Sequence, residues 1–306
     1  MIKVIASHAL SPAEASGSRR LSDPDLLLDI AGRFDGAAPP EGSLSDEFSL
    51  ILHDLRMGGT WKRTSRGRLP CAERMICAHL VPPAAGEIAV LDLGASDGIT
   101  TLDLAAALRT AFGDRVRVFL TDLNLWLLRY RKGPVVEYRA ANGEPIMARI
   151  GRVGLRLARE RHDQERGADP IAAAYLMCRG LRQSMRLDAR ISLIHPLVAR
   201  DPAITAMELD CVARVPELAG RFAAIRASNV LNPGYFSPAQ MQAAIGNMHA
   251  YLRERGCIVI SRNQDGPTGE VENGSVWRKT GERFAHVADF GAGSEIKSLL
   301  DGWLRS

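Results

Sequence analysis

The sequence predicts an α/β fold, a mostly parallel sheet flanked by helices and closed by an antiparallel hairpin. Three observations point there. Short apolar runs of strand length alternate with helical stretches from residue 88 onward. The first of these runs ends in a glycine-bearing turn that opens a helix. The chain then closes on two strand-like segments joined at Thr280-Gly281. Alternating short strands and helices build a parallel sheet because each crossover helix returns the chain to the same edge. With 306 residues, 46% hydrophobic and 24% charged, a sizeable core is affordable.

The elements follow in order. Residues 10–45 are rich in Ser, Pro, Gly and Asp around one apolar patch at Leu26–Ile30, which reads as a loose leader with a short helix. Phe48–Met57 and Ala72–Leu80 have helical patterns, the second stopped by Pro82-Pro83, so residues 1–80 are expected to be a mostly helical segment. Residues 81–306 carry the main domain. Its strands are expected at Ile88–Leu93, Val116–Leu120, Ala203–Leu209, Phe222–Ala227 and Gly256–Ser261, with helices at Thr100–Phe112 and Pro238–Arg253. Ser275–Lys279 and Phe284–Phe290 form the closing hairpin.

Residues 123–202, between the second and third strands, exceed what a crossover needs and are expected to contain a basic cap-like insertion, mostly helical. They hold 15 Arg and Lys against 8 Asp and Glu, a surplus of 7 in a chain whose net charge is +4. The remainder is therefore net acidic. Within the insertion, Ile146–Arg161 shows an apolar face opposite Arg149, Arg152, Arg156 and Arg159, although Val153–Leu157 also alternates like a strand. Asp169-Pro170 is a reasonable start for a helix through the apolar residues 171–177. A basic amphipathic helix suits a peripheral membrane contact or an acidic partner; a solvated face packed on the core is the plainer reading.

The bulk numbers exclude several classes. A charge of +4 does not argue for nucleic acid. Cys71, Cys77, Cys178, Cys211 and Cys257 are scattered without zinc-like spacing, so no metal is expected. No apolar run reaches the ~18 residues of a membrane span, and the amino terminus lacks a signal-like core, so a cytoplasmic protein is expected.

The chemistry concentrates in Val90-Leu91-Asp92-Leu93-Gly94-Ala95-Ser96-Asp97-Gly98. A strand must turn sharply into a helix here, and small residues let a ligand approach the helix amino terminus. An acid just before the first glycine, Asp92, suits an amine-bearing ligand better than a pyrophosphate. Asp122 then ends the second strand, where a carboxylate can bridge two ribose hydroxyls.

This arrangement resembles the class I, Rossmann-like S-adenosylmethionine (AdoMet)-dependent methyltransferases. Their first motif, acidic-x-Gly-x-x-x-Gly, is matched by Asp92, Gly94 and Gly98, and their second-strand acid by Asp122. Glu208-Leu209-Asp210-Cys211 matches the place of the acid beside the adenine, and Phe222–Asn232 the fourth strand and its exit loop. The resemblance implies AdoMet as cofactor, held by Asp92, Gly94, Ala95, Ser96, Gly98, Asp122, Leu123, Asp210, Cys211 and Ser228. It also implies methyl transfer. Because the cleft of an open α/β sheet lies beyond the carboxyl ends of its strands, Asn229 and Tyr235 at the fourth-strand exit are expected to face the acceptor, which we expect to be a small molecule, with the basic insertion favouring an anionic one. Ser228-Asn229-Val230-Leu231 with Tyr235-Phe236 looks like the chemotaxis-receptor methyltransferases, but Pro233-Gly234 and the insertion depart from them. That protein-methylating type is kept as an alternative, as is a scaffold of the same fold without turnover.

Rival readings are weaker. Gly94-Ala95-Ser96-Asp97-Gly98 also fits G-x-S-x-G, the nucleophile elbow of a hydrolase, with His195, His249 and His286 as candidate bases. A nicotinamide site would want glycine at Ser96. Asn232-Pro233-Gly234-Tyr235 superficially resembles the Asn-Pro-Pro-Tyr of adenine and glutamine N-methyltransferases. Arg63, Arg66 and Arg68, just before the motif, are candidates for a lid.

Overall fold

The computed structural model describes residues 2–11, 21–33, 44–53, 55–57, 60–62, 64–151, 153–159, 184–266 and 269–303. The chain divides into two compact units, one of residues 1–63 and 124–196, the other of residues 64–123 and 197–306. In chain order, β1 (Ile2–Ser11), β2 (Leu21–Ser22), α1 (Leu26–Arg33), α2 (Leu44–His53), β3 (Arg56–Met57) and β4 (Thr60–Trp61) belong to the first unit. The second begins with α3 (Pro70–His79), β5 (Ile88–Leu93), α4 (Ile99–Phe112) and β6 (Val116–Asp122). The chain returns to the first through β7 (Trp126–Lys132), β8 (Val135–Ala140), β9 (Pro145–Ile150), β10 (Val153–Arg159) and β11 (Arg186–Ser192). From Leu197 it stays in the second: α5 (Pro196–Arg200), β12 (Ile204–Glu208), β13 (Phe222–Ser228), α6 (Pro238–Tyr251), β14 (Leu252–Gly266), β15 (Gly269–Thr280), β16 (Arg283–Phe290) and α7 (Lys297–Asp301).

The second unit holds the expected sheet, in the order β12-β6-β5-β13-β14-β15-β16. β12, β6, β5, β13 and β14 run parallel, β15 runs antiparallel to β14, and β16 runs antiparallel to β15. β14 is far longer than expected and pairs with β15 from Cys257 to Gly266, so the closing hairpin is the outer part of a three-strand meander. Side chains of β5 alternate between two cores: Ala89, Leu91 and Leu93 pack with α6 residues such as Met241 and Ile245, while Ile88 and Val90 pack with Ala72 and Ile76 of α3 and Leu104 and Leu108 of α4. Helix α6 starts on a capping box, Ser237 with Gln240, and Pro238 in its first turn.

The first unit corrects the helical expectation for the insertion. Its sheet runs β11-β7-β8-β9-β10-β1-β2, and β7 to β10 form an antiparallel meander. The residues expected as a basic amphipathic helix are β9, β10 and the turn between them. The physical reason is turn chemistry: Asn142-Gly143 closes one hairpin with Gly143 at φ 81°, and the Ala140 N–H donates to the Glu144 carbonyl at 2.8 Å. Gly151, which weakens a helix, instead sits at φ 58° beside the next hairpin bend. The expected helix over 171–177 lies outside the described residues. The N-terminal segment carries a helix around Leu26–Ile30 as expected, but the helix expected over Phe48–Met57 runs Leu44–His53 with Arg56–Met57 in a strand, and the segment opens with β1, paired to β10. Helix α3, expected within that segment, falls in the compact unit of the parallel sheet. Among the described residues, no helix is long and apolar enough to cross a membrane.

Candidate functional site

β5 is buried throughout and ends at Gly94, at the point where sheet order reverses between β6 on one side and β13 on the other. In open α/β sheets such a switch point opens a crevice at the carboxyl ends of the strands. The turn leaving β5 has positive φ at Gly94 (70°), Ser96 (61°) and Gly98 (84°). Its glycines are required by its own packing. A Cβ on Gly94 would lie 2.7 Å from Val230 and one on Gly98 2.0 Å from Leu120. Asp97 is buried and its Oδ1 accepts the Ile99 N–H at 2.9 Å, closing an Asx turn just before α4.

Ser96 carries the unusual features. A non-glycine residue in the left-handed region is strained. Its N–H donates to Asp122 Oδ2 at 2.9 Å, and its hydroxyl is buried with no hydrogen-bond partner among the described residues. The Ala95 N–H donates to the Thr121 carbonyl at 2.9 Å. The structure thus brings Gly94, Ala95, Ser96, Gly98 and Asp122 together as expected. Leu123, next to Asp122, leaves half of its surface in water.

Asp92 behaves differently. It lies on the face covered by α3 and α4, where the β5–β13 register sets it beside Arg226. Arg226 Nε donates to Asp92 Oδ1 at 2.8 Å and Nη2 to Oδ2 at 2.6 Å, and Thr101 Oγ1 donates to Oδ2 at 2.6 Å. Burial lowers the Arg226 pKa, but the charge and hydrogen bonds of Asp92 outweigh this and raise it. The motif acid is therefore committed to an internal ion pair. Sequence reasoning passed over Arg226; the signal was an arginine inside an otherwise apolar strand, which must bring its own counter-charge.

The other expected residues divide between the core and the surface. Asp210 is exposed and its Oδ1 accepts the Val212 N–H at 2.9 Å in a local turn. Cys211 belongs to the α6 core, its thiol pushed up to about 12 by burial and then by the Asp210 charge. The Ser228 and Ser261 hydroxyls are 2.7 Å apart. Asn229, at φ 60°, uses both ends of its amide internally: Nδ2 donates to Asn263 Oδ1 at 3.0 Å, and Oδ1 accepts the Asn263 N–H at 2.8 Å. It extends the β13–β14 ladder, which leaves its amide little capacity to orient an acceptor. Tyr235 lies on an exposed turn.

The rivals find little here. Among the described residues the Ser96 hydroxyl meets no hydrogen-bond partner, and so no histidine that could serve it as a base. His195 packs edge-on to Phe48, His249 packs against Phe284 and Trp303, and His286 pairs with Asp289. The lid expectation is corrected at Arg68, whose guanidinium is bound to Glu270 (Nε–Oε2 3.0 Å) and whose carbonyl accepts Asn263 Nδ2 at 3.1 Å. Arg66 is exposed, and Arg63 lies outside the described residues.

No family model and no curated protein matches the chain. Solved structures do match. The citrinin polyketide synthase CMeT domain is 15% identical over 60% of this chain and 31% of its own length, with a TM-score of 0.30. The DszA carbon methyltransferase is 14% identical over 79% of this chain and 47% of its own, with a TM-score of 0.33. A geranyl diphosphate methyltransferase in complex with AdoMet is 13% identical over 76% and 59%, with a TM-score of 0.31. The chain spans less than two thirds of the length of each. At these identities the likeness transfers no residue role. The sheet order defines the second unit as a Rossmann-like α/β fold.

Proposed function

We propose that the second unit binds AdoMet over the turn Gly94–Gly98 and transfers its methyl group to a small-molecule acceptor. The observation that carries this reading is Ser96: a strained residue at the switch point, with a buried hydroxyl lacking a partner among the described residues and its N–H holding Asp122. Strain and an unsatisfied polar group are retained where a ligand completes the site. The residues fit the cofactor. Asp122 stands where a ribose diol would be received, Leu123 offers an apolar surface for the adenine, and the Ser96 hydroxyl is available to a polar group of the ligand.

When bound, AdoMet supplies an already activated methyl electrophile on its sulfonium. The chain's own contribution is then to fix the nucleoside, exclude water and align the acceptor. The arginines of the insertion bear on whether that acceptor is anionic. Several insertion arginines are spent internally: Arg129 and Arg131 on Asp188, Arg149 on Asp23 and Asp25, Arg139 on Glu137. Titration calorimetry tests the cofactor reading. AdoMet or its demethylated product should bind, and Asp122→Ala should weaken binding at least ~10-fold, as expected for lost charge-assisted hydrogen bonds. Binding of NADH with none of AdoMet would overturn it, and binding of AdoMet without any labelled-methyl turnover would favour the scaffold alternative.

A further inference from the structure

The Ser228 residue stands beside the glycine-bearing turn. β13 pairs with β5 as far as Ala227 beside Leu93, so Ser228 lies level with Gly94, the first residue of that turn. Val230, two residues further on, is the side chain that a Cβ on Gly94 would meet at 2.7 Å. On its other side β13 pairs with β14, which sets Ser228 beside Ser261. Ser261 faces Gly274 of β15, where a Cβ would lie 2.8 Å from that of Ser261. The glycine leaves room for Glu272, two residues along and on the same face of β15.

Ser228, Ser261 and Glu272 form a hydrogen-bonded series that can run in one direction only. A carboxylate accepts and does not donate. Glu272 Oε2 takes the Cys71 N–H at 2.8 Å, and Oε1 takes the Ala72 N–H at 3.1 Å and the Ser261 hydroxyl at 3.2 Å. A serine hydroxyl has a single hydrogen, and that of Ser261 goes to Glu272. In the 2.7 Å contact between the two serines, Ser228 is therefore the donor. Its hydrogen is committed, and only its lone pairs face anything else. Among the described residues the Ser228 hydroxyl has no other hydrogen-bond partner. The three residues keep 8%, 4% and 9% exposure, so bulk water does not interrupt the series.

We propose that Glu272 and Ser261 are positioning residues that fix the Ser228 hydroxyl as a hydrogen-bond acceptor at the floor of the crevice, where it receives the amino group of the bound cofactor. The inference rests on the AdoMet reading above. An ammonium group only donates, so it matches a hydroxyl whose hydrogen points away from it. A carboxylate in the same place would set lone pairs against lone pairs. The series thus decides which end of an amino-acid moiety faces β13. Hydrogen bonds joined in this way polarise one another, so a carboxylate at one end strengthens the acceptor at the other.

The test is calorimetry of the full chain with two probes, S-adenosylhomocysteine and the same compound with hydrogen in place of its amino group. The readout is the ratio of the two affinities. Wild type should favour the amino-bearing probe at least ~10-fold, as hydrogen bonds to a charged group do. Ser228→Ala should reduce that ratio about three- to tenfold. Glu272→Gln acts from β15. The Cys71 N–H holds the amide oxygen at the place of Oε2, which leaves the amide NH2 to donate to Ser261 and reverses the series. The Ser228 hydrogen then points at the amino group, and the ratio should fall about tenfold with the deaminated probe little changed. Removing a carboxylate also weakens the attraction for any cation, with or without the series. Ser261→Ala separates the two causes: in that background Glu272→Gln should change the ratio less than about twofold. If circular dichroism shows Glu272→Gln unfolded, Ser261→Ala alone should lower the ratio about twofold or more by releasing the Ser228 hydrogen, whereas a structural role would weaken both probes equally. A wild-type ratio below about two, a ratio untouched by Ser228→Ala or by the folded variant of the series, or an equal fall in both backgrounds overturns the inference while the AdoMet reading stands. Binding of neither probe removes both.

Discussion

Each unit of the molecule contains a cluster of arginines and aspartates, and the two clusters do different work. In the first unit, Arg129 of β7 binds Asp25 at 3.0 Å and Asp188 at 2.8 Å, and Arg149 of β9 binds Asp25 at 2.9 Å and Asp23 at 3.5 Å. The buried Tyr138 donates its hydroxyl to Asp23 at 3.0 Å. This network clamps the turn before α1 onto the sheet, it is redundant, and its charged members keep 16–30% side-chain exposure. In the second unit a single fork, Arg226 on Asp92, sits out of water between β13 and β5. Partial hydration makes charge pairs cheap and weak, while full burial makes each partner indispensable to the other. The first cluster therefore reads as a fastening and the second as a buried internal pair.

Breaking the fork should have the largest effect. Arg226→Met leaves Asp92 as an uncompensated buried charge and should cost about 3–5 kcal/mol in urea unfolding, most of it recovered when Asp92→Asn is added. A single-variant cost below about 1 kcal/mol would mean that water reaches the pair and that the contrast with the first unit is false. The two glycine turns sharpen the contrast next. Gly98→Ala combines φ 84° with a clash at Leu120 and should cost roughly 2–4 kcal/mol. Gly143→Ala, at φ 81° but with nothing within 4 Å of the added Cβ, should cost only about 1 kcal/mol. Equal losses on denaturant titration would show that conformation alone, and not packing, makes Gly98 necessary. The smallest effect belongs to the fastening. Asp25→Asn should lower stability by about 0.5–1 kcal/mol, less at high salt, because Arg129 keeps Asp188 and Arg149 keeps Asp23.

The parallel core was legible because its signals are local and strong. Ile88–Leu93 is bounded in the structure as its apolar run suggests, and α4 and α6 begin within a residue of their expected starts. The insertion was misread because arginines at helical spacing outweighed its turn signals. Asn142-Gly143 was present in the sequence and marks a hairpin more securely than a stripe of arginines marks a helix. Around the turn, Ser96 and Asp122 are legible from the glycine-bearing turn and the strand end, and the fold joins them by a hydrogen bond. Asn229 was assigned to the acceptor from its place in an exit loop, yet its amide meets Asn263, 34 residues away, in a ladder that only strand pairing reveals.

By itself the sequence determined the alternation of elements, the sharp turn after β5 and the acid at the end of β6, because each follows from the conformational limits of a few adjacent residues. The tertiary structure decided what those residues face. Whether Asp92 meets a ligand or an arginine depends on the register that sets Arg226 beside it across two strands 134 residues apart. A carboxylate's charge belongs to whatever partner the fold brings within ~3 Å, and no local pattern in the chain encodes that distance.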